Sequence, residues 1–350
     1  KMDITEISSH ITKPDEGAMN RCRKRWDSIA KPLHSLGKLE DLIVKIAGIT
    51  RSERINLTKK ALVCMCADNG VVEEGVSQSG QEVTAIVSEN MLNGRATSSV
   101  MCRHLGADLF AVDVGVACET SLIQKKSGFG TRNMLREPAM TREEAVSAVN
   151  AGISMAFELS RKGYCIAATG EMGIGNTATS SAVASVLLDR PAEEMTGRGA
   201  GLDDQRLRRK IQVITQAVNL HQPDRKDPLD VLSKVGGFDL AALTGFFLGG
   251  AAVRLPIVID GFISGTAALA AMKICPDAVH YMLPSHKSKE PAAGLLLDAL
   301  GLDACLNCGM SLGEGTGALM LFPLLDTALD VYEKMSTFDE INVEQYVPLS

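Results

Sequence analysis

The stretch that could do chemistry most directly lies near the end of the chain and runs Leu312-Gly313-Glu314-Gly315-Thr316-Gly317-Ala318. Glycine allows tight and left-handed turns and lets a ligand come close to the main chain. An acidic side chain on such a turn is presented to a ligand rather than packed. The structural alternative is that Glu314 only caps the helix that we predict to begin near Thr316, where a carboxylate suits the positive end of the helix dipole.

A second glycine-rich stretch runs from Gly170 to Thr177, between a predicted strand and a predicted helix. Such a turn can hold an anion, because its backbone N–H groups and the helix dipole both favour phosphate. Its spacing matches neither a Walker loop nor the dinucleotide fingerprint, and a turn like this is more often merely tight. After a third glycine cluster, residues 197–201, comes Lys210, which could reach an anion or could be a solvated lysine.

Polar residues also follow other predicted strands, as Asp260-Gly261 and the run from Ser285 to Glu290 illustrate. Open α/β sheets bind ligands at the carboxyl ends of their strands. We therefore expect one cleft to collect five side chains, namely Asp68, Glu171, Asp260, Ser288 and Glu314. His286 is either catalytic or, as is more common for a lone loop histidine, a hydrogen-bonding residue. The convergence favours an enzyme over a scaffold protein.

The elements that must position these residues alternate between buried strands and helices. Apolar runs predict strands at residues 61–67, 109–116, 164–169, 255–259 and 279–283. Runs that are apolar throughout are typical of strands buried on both faces. Helical patterns lie between the strands. One covers residues 82–104 with a break at Gly94, and another begins with the capping box from Thr141 to Glu144. The fold class is therefore predicted to be α/β, a mainly parallel sheet covered by helices on both faces as in Rossmann-like folds.

Three segments are predicted along the chain. Residues 1–60 would supply the N-terminal helical part of a smaller lobe, and residues 61–310 would form the α/β core. Residues 311–350 would carry the Glu314 turn and a C-terminal helix that joins the small lobe, with a tail from residue 337 onward. A chain of 350 residues that is 45% hydrophobic has enough apolar material for a core of this size.

Composition excludes several other classes of function. The net charge is −6 and only 4% of residues are aromatic, with no basic patch, so we expect no nucleic-acid partner. No apolar stretch is long enough to span a bilayer, and the polar start of the chain does not resemble a signal peptide. Nine cysteines, an odd number lying mostly in apolar runs, indicate reduced thiols and a cytoplasmic location. Cys305 and Cys308 lack a second pair at zinc spacing, so we expect no metal there.

The motifs together resemble the nicotinate-nucleotide:dimethylbenzimidazole phosphoribosyltransferase family, which activates the lower ligand of cobamides. Segments with this resemblance span nearly the whole chain, and the stretches at 170–177 and 312–318 are the most specific. The resemblance implies attack of an aromatic nucleophile on the anomeric carbon of nicotinate mononucleotide, with Glu314 as general base and no cofactor or metal. The substrate-binding set that it implies is Ser77, Ala85, Glu171, Gly173, Asn176, Thr177, Lys210, Gly261, Ser288 and Leu312.

Two departures from the family pattern concern the acceptor. The family usually has Asp-His-Gly-Val where this chain has Asn69 in the second position, and a glutamine commonly follows the Val-Thr pair where this chain has Ala85. Loss of a hydrogen-bonding amide weakens recognition of a ring nitrogen and suits an acceptor recognised by shape, such as phenol or p-cresol.

The resemblance also bears on assembly. The family is homodimeric, with the acceptor site near the subunit contact, and related enzymes for phenolic ligands are pairs of paralogous subunits. This chain would be the glutamate-bearing subunit of such a pair. The remaining alternative is a non-catalytic or regulatory nucleotide-binding paralogue, which would be expected to have lost Glu314.

Overall fold

The computed structural model describes residues 4–199 and 201–347. The strands are β1 (Lys60–Ala67), β2 (Ala107–Gly115), β3 (Ile123–Gln124), β4 (Ile166–Met172), β5 (Ile257–Ile259) and β6 (Met282–Pro284). The helices are α1 (Ile4–His10), α2 (Glu16–Ser28), α3 (Lys38–Thr50), α4 (Glu82–Leu92), α5 (Thr97–Leu105), α6 (Arg142–Arg161), α7 (Asn176–Leu188), α8 (Ala192–Met195), α9 (Asp204–His221), α10 (Pro228–Val235), α11 (Phe238–Ala252), α12 (Phe262–Ile274), α13 (Ala293–Leu300), α14 (Thr316–Leu319) and α15 (Leu321–Lys334).

The strands form one sheet in the order β3-β2-β1-β4-β5-β6, and every neighbouring pair is parallel. Every residue of the central strand β1 is buried, which requires cover on both faces of the sheet. The α/β class and the covered parallel sheet are therefore confirmed. All carboxyl ends meet at one edge, because Met65 of β1 lies opposite Glu171 of β4 and Val258 of β5 lies opposite Ala168 of β4.

Several element bounds differ from the sequence prediction. Strand β3 has only two residues, too few to produce a recognisable pattern, and it lies between the predicted strand 109–116 and the helix that opens at Thr141, where no strand was predicted. The predicted last strand begins late, because Pro276–Tyr281 form a 3₁₀ turn and pairing with β5 starts only at Met282. Strand β4 continues through Glu171 to Met172, so the glycine-rich turn is shorter than its sequence suggests. The break at Gly94 is confirmed by the separation of α4 from α5.

Helices from both ends of the chain pack together. Helix α15 packs against α3, and the rings of Trp26 and Tyr332 lie 5.0 Å apart. A bridge between Ile29 and Thr337 and the burial of Phe338 show that the predicted tail is partly packed. Residues 348–350 lie outside the described residues. The boundaries of a separate small lobe stay a prediction.

Helices long and apolar enough to cross a membrane were sought over the described residues, and none was found.

Candidate active site

A cavity of about 280 Å³ opens at the carboxyl ends of β4, β5 and β6. It is lined by ten of the residues singled out in the sequence, namely Ser77, Glu171, Gly173, Asn176, Thr177, Gly261, His286, Ser288, Leu312 and Glu314. Asp260 lines it as well. The parallel sheet explains this convergence, since loops far apart in sequence leave neighbouring strands at the same edge. A cleft with carboxylates, amides and hydroxyls around it is suited to binding a polar small molecule.

Three residues that were expected at the cleft lie elsewhere. The carboxylate of Asp68 does not line the cavity, because it turns back to accept a hydrogen bond from the backbone N–H of Ala117 at 2.8 Å. Ala85 packs against the small apolar cluster that contains Cys66 and Met91. Lys210 lies behind the wall and reaches the cavity only through a neighbour that lines it.

Asn69 is also absent from the lining. It is fully buried, and its side-chain amide lies 3.5 Å from the carbonyl oxygen of Ile174, behind the glycine-rich turn. Neither Asn69 nor Ala85 therefore lines the cavity. The phenolic hypothesis drawn from these two positions loses that support.

Glu314 lies on a loop of three consecutive left-handed residues, with φ values of 86° at Gly313, 57° at Glu314 and 80° at Gly315. Its carboxylate accepts a hydrogen bond from the Ser98 hydroxyl at 3.1 Å. The N-cap position of α14 belongs to Gly315, and the first-turn N–H of Ala318 donates to Asp260 rather than to Glu314. The capping interpretation of Glu314 is therefore wrong, and the carboxylate is presented at the cavity.

Glu171 lies beside Glu314 in a region crowded with carboxylates. Its Oε2 accepts from the Asn176 amide at 2.5 Å, and that amide also donates to Asp239 at 3.1 Å. Burial raises the pKa of Glu171 well above its usual range, and the carboxylates of Asp260, Asp239 and Glu314 add to the rise. Burial likewise raises the pKa of Asp239 to about 6. Burial therefore favours the protonated form of Glu171, which can donate a hydrogen bond to a ligand.

Asp260 and His286 form a buried pair just after the adjacent strands β5 and β6. Asp260 Oδ1 lies 3.8 Å from His286 Nε2, and burial raises the pKa of the carboxyl while lowering that of the imidazole. Within residues 4–199 and 201–347, His286 Nδ1 has no hydrogen-bond partner. Burial thus disfavours the charged form of both side chains.

A buried lysine stands at the other side of the cavity. Lys210 on α9 is fully buried, and its Nζ donates to Thr177 Oγ1 at 2.8 Å and to the carbonyl oxygen of Gly197 at 3.1 Å. Burial lowers its pKa to about 8, and the carboxylate of Glu290 opposes that change. Glu290 also accepts from the backbone N–H of Gly199 at 3.1 Å. Among the described residues no carboxylate lies within salt-bridge distance of this ammonium, which is therefore suited to an anionic ligand.

The residues around the cavity that the sequence analysis did not single out include Ser98, Val87 and Arg198. Ser98 contacts Glu314 across 216 residues of sequence, and nothing local marks it. Val87 lines the cavity three residues after Thr84, whose hydroxyl accepts from the Ile174 N–H at 3.0 Å. Helix periodicity places these two on one face of α4, so it could have selected Val87 over Ala85.

No group of three or more His, Cys, Asp or Glu side chains in the described parts of the chain is arranged to hold a metal ion.

A parallel α/β sheet with a carboxylate loop and a buried lysine at its carboxyl edge defines a class of small-molecule enzymes with an anion-binding cleft. Comparison with known proteins gives the family. A family model described as DBI_PRT, phosphoribosyltransferase, matches residues 11–343. The chain belongs to this nicotinate-nucleotide–dimethylbenzimidazole phosphoribosyltransferase family of pentosyltransferases, as its motifs indicated.

Among the relatives, the nicotinate-nucleotide–dimethylbenzimidazole phosphoribosyltransferase of Acetivibrio thermocellus is 50% identical over 334 residues, 94% of this chain and 95% of that protein. The enzyme of the same name from Ruminiclostridium cellulolyticum is 48% identical over 99% of this chain and 100% of that protein. The crystal structure of CobT from Thermus thermophilus superposes with a TM-score of 0.89 at 37% identity, over 94% of this chain and 100% of that chain.

Proposed function

We propose that this protein transfers the phosphoribosyl group of nicotinate mononucleotide to an aromatic lower-ligand base, giving an α-ribotide and nicotinate for cobamide biosynthesis. The observation that carries the proposal is the arrangement of the cavity, with the presented carboxylate of Glu314 and the buried ammonium of Lys210 behind Thr177. The names of the relatives, which specify dimethylbenzimidazole as acceptor, support it.

The chemistry needs little from the protein beyond position and one base. A ring nitrogen or phenol oxygen of the acceptor forms a bond to C1′ of the ribose. The bond between C1′ and the pyridinium nitrogen breaks, and its electron pair stays on nicotinate, which is a good leaving group because that nitrogen is positive in the substrate. Glu314 takes the proton that the acceptor loses. Holding both reactants in line supplies much of the remaining acceleration.

The phosphate and ribose would bind at the wall formed by the turn after β4 and by the β5 and β6 loops. Thr177 and Lys210 supply a hydroxyl and an ammonium, and Ser288 is adjacent to Gly261, whose Cβ, if present, would lie 3.6 Å from Ser288 Oγ. Because burial raises the pKa of Glu171, its repulsion of a phosphate is reduced, and it is available to hydrogen-bond a ribose hydroxyl, with Gly173 and Asn176 beside it.

The acceptor would bind between Glu314 and the apolar part of the lining, which comprises Val76, Val87, Met172, Ile174, Phe262 and Leu312. Ser77 contributes a hydroxyl to the lining. An apolar wall recognises a flat ring by shape and discriminates weakly between similar rings. Because Val87 offers no hydrogen bond to a ring nitrogen, phenol and p-cresol should be tested as acceptors beside dimethylbenzimidazole, which the names of the relatives specify.

A dimer is part of the proposal. Apolar side chains are exposed on the elements around the cavity: Leu312 (54%), Ile86 on α4 (64%), Val100 on α5 (51%) and Met320 after α14 (38%). Exposed apolar groups gathered near a binding site are typical of a protein interface. A second subunit, identical or paralogous, would cover them and close the acceptor side. Size-exclusion chromatography with light scattering tests this, with Ile86→Asp/Val100→Asp expected to give a monomer.

The direct experiment incubates the purified chain with nicotinate mononucleotide and each acceptor, with and without a paralogous subunit, and follows nicotinate and the ribotide by mass spectrometry. Glu314→Gln should lower kcat by about 10²- to 10⁴-fold, the usual contribution of a general base. The matched control is Glu119→Gln, an exposed carboxylate in the loop after β2 that does not line the cavity.

Each outcome distinguishes a part of the proposal. Turnover by Glu314→Gln at the rate of the unmodified chain would remove the general-base role. Binding of nicotinate mononucleotide without turnover of any acceptor, alone or with a partner, would establish the non-catalytic alternative. Strong turnover of dimethylbenzimidazole by the lone chain, with none on phenols, would exclude the phenolic acceptor.

The cytoplasmic location is part of the proposal and is supported by the nine free cysteines.

A further inference from the structure

The Glu314 loop adopts a backbone conformation that its own residues do not stabilise. A glutamate with φ of 57° is in the left-handed region, which is unfavourable for a non-glycine residue. The residues on either side, Gly313 and Gly315, are left-handed too. Glycines adopt this conformation freely but also leave it freely. Something outside the loop must therefore fix the direction of the Glu314 carboxylate.

Asp260, at the end of β5, makes the contacts that fix the loop. Its Oδ2 accepts from the Gly315 N–H at 3.1 Å and its Oδ1 from the Ala318 N–H at 2.9 Å. One carboxylate thereby ties together the residue after Glu314 and the first turn of α14. Asp260 is only 4% exposed, so these bonds form away from competing water.

Asp260 is itself anchored to the sheet. Its N–H donates to Ser264 Oγ at 3.1 Å, and its carbonyl oxygen accepts from Ser285 Oγ at 3.2 Å. Gly317 lies against the His286 ring so closely that a Cβ there would be 2.1 Å from Nε2. The loop is therefore seated between fixed groups of β5 and β6.

Strand β4 supplies the opposite support. A Cβ on Gly170 would lie 2.9 Å from the carbonyl carbon and oxygen of Glu314, so the loop backbone rests directly on the strand. Held from β4 by close packing and from β5 by two hydrogen bonds, Glu314 has one backbone position. Its carboxylate then reaches Ser98 on α5.

We propose that Asp260 is a positioning residue for the reaction. Its carboxylate accepts hydrogen bonds from the backbone N–H groups of Gly315 and Ala318 and thereby orients the Glu314 carboxylate toward the acceptor. This inference rests on the proposed general-base role of Glu314. It assigns Asp260 no contact with the reacting atoms. Its effect passes through the geometry of the loop, where a displacement of about 1 Å can change a rate by about 100-fold.

The test compares Asp260→Asn and Asp260→Glu with a matched control, Asp113→Asn. Asp113 is a fully buried aspartate at the end of β2 that also accepts from two backbone N–H groups, those of Gly115 at 3.1 Å and Val116 at 2.9 Å, but it does not line the cavity. Each variant is assayed for kcat, for Kd of nicotinate mononucleotide and for Tm, with Glu314→Gln in parallel.

Asparagine keeps one acceptor oxygen, so Asp260→Asn should lower kcat by about 10- to 100-fold while Kd for the nucleotide changes by less than about threefold. Asp260→Glu restores both oxygens on a longer arm and should recover part of kcat. Asp113→Asn should lower Tm with kcat nearly unchanged. If Asp260→Asn does not fold, Asp260→Glu alone decides, with kcat again expected to fall and Kd to stay.

An inactive Glu314→Gln beside a fully active Asp260→Asn or Asp260→Glu would overturn the inference and leave the general base intact. Equal losses in Asp260→Asn and Asp113→Asn, with Kd rising in both, would also overturn it, since that pattern marks general destabilisation. A fully active Glu314→Gln would instead refute the proposed base and with it the purpose assigned to Asp260.

Discussion

Lys210→Met should make the protein more stable and less able to bind its nucleotide. Burial lowers the Lys210 pKa from 10.5 to about 8, which corresponds to about 3 kcal/mol against the charged form in the folded state. Methionine fills similar volume without the charge. It loses two hydrogen bonds, to Thr177 Oγ1 and the Gly197 carbonyl, each of which contributes about 1 kcal/mol. The expected net gain at pH 7 is about 1–2 kcal/mol.

The size of this stability gain depends on pH, and the direction of the change follows from the pKa shift. Because the folded-state pKa is below the unfolded value, the destabilisation is fully present below pH 8 and disappears as the pH rises from about 8 to 10.5. The advantage of the methionine variant over the unmodified chain should therefore shrink between pH 7 and pH 9.5. Urea unfolding at the two pH values measures it. A gain that is constant or grows with pH would refute the burial argument.

Binding should move in the opposite direction. Lys210 reaches the cavity only through Thr177, but its charge and its bond to that hydroxyl favour a phosphate there, so Kd for nicotinate mononucleotide should rise by about 10-fold. The control is Lys45→Met: burial also lowers the Lys45 pKa to about 8, but its Nζ donates to the carbonyl oxygens of Val279 and Met282, away from the cavity. Calorimetry should find nucleotide binding unchanged there. Unchanged binding in Lys210→Met would exclude Lys210 from the phosphate site.

Three further substitutions test other parts of the site. Val87→Gln adds an amide to the acceptor wall and should raise kcat/KM for dimethylbenzimidazole relative to p-cresol by about 10-fold, measured by competition between the two acceptors. Gly170→Ala places a Cβ 2.9 Å from the Glu314 carbonyl and should lower kcat by about 10-fold or more with nucleotide affinity kept, measured by steady-state kinetics and calorimetry. Asp239→Asn removes a carboxyl whose pKa is raised to about 6, and its stability relative to the unmodified chain should improve by about 3 kcal/mol as the pH rises from 4 to above 6, measured by urea unfolding.

Each of these has a clear contrary result. Ala85→Gln serves as control for Val87→Gln, because Ala85 lies on the same helix but packs against Cys66 and Met91; equal effects of the two would mean that α4 presents a different face. Full activity of Gly170→Ala would show that the loop is not seated on β4. A pH-independent difference between Asp239→Asn and the unmodified chain would mean that the carboxyl is not shifted by burial.

The amino-acid sequence by itself determined the class of fold and the family. Apolar runs long enough to be buried on both faces defined the central strands, and the capping box from Thr141 to Glu144 formed as its residue types require. The glycine-rich stretches around Glu171 and Glu314 were recognisable because glycine spacing reports backbone conformation, which is a local property. Parallel pairing of the strands then places their carboxyl ends at one edge of the sheet, so the sequence was enough to predict where the cleft lies.

Tertiary structure alone decided which side chains point into the cavity. Asp68 and Asp260 both follow buried strands, yet one turns to the Ala117 N–H and the other grips the Glu314 loop. Ala85 and Val87 share a helix, and packing of α4 on the sheet selects the second. The burial of Lys210 depends on α9 lying behind the β4 turn. These outcomes depend on contacts between residues that are distant in sequence. A local sequence pattern does not contain the information that decides which polar side chain meets which partner.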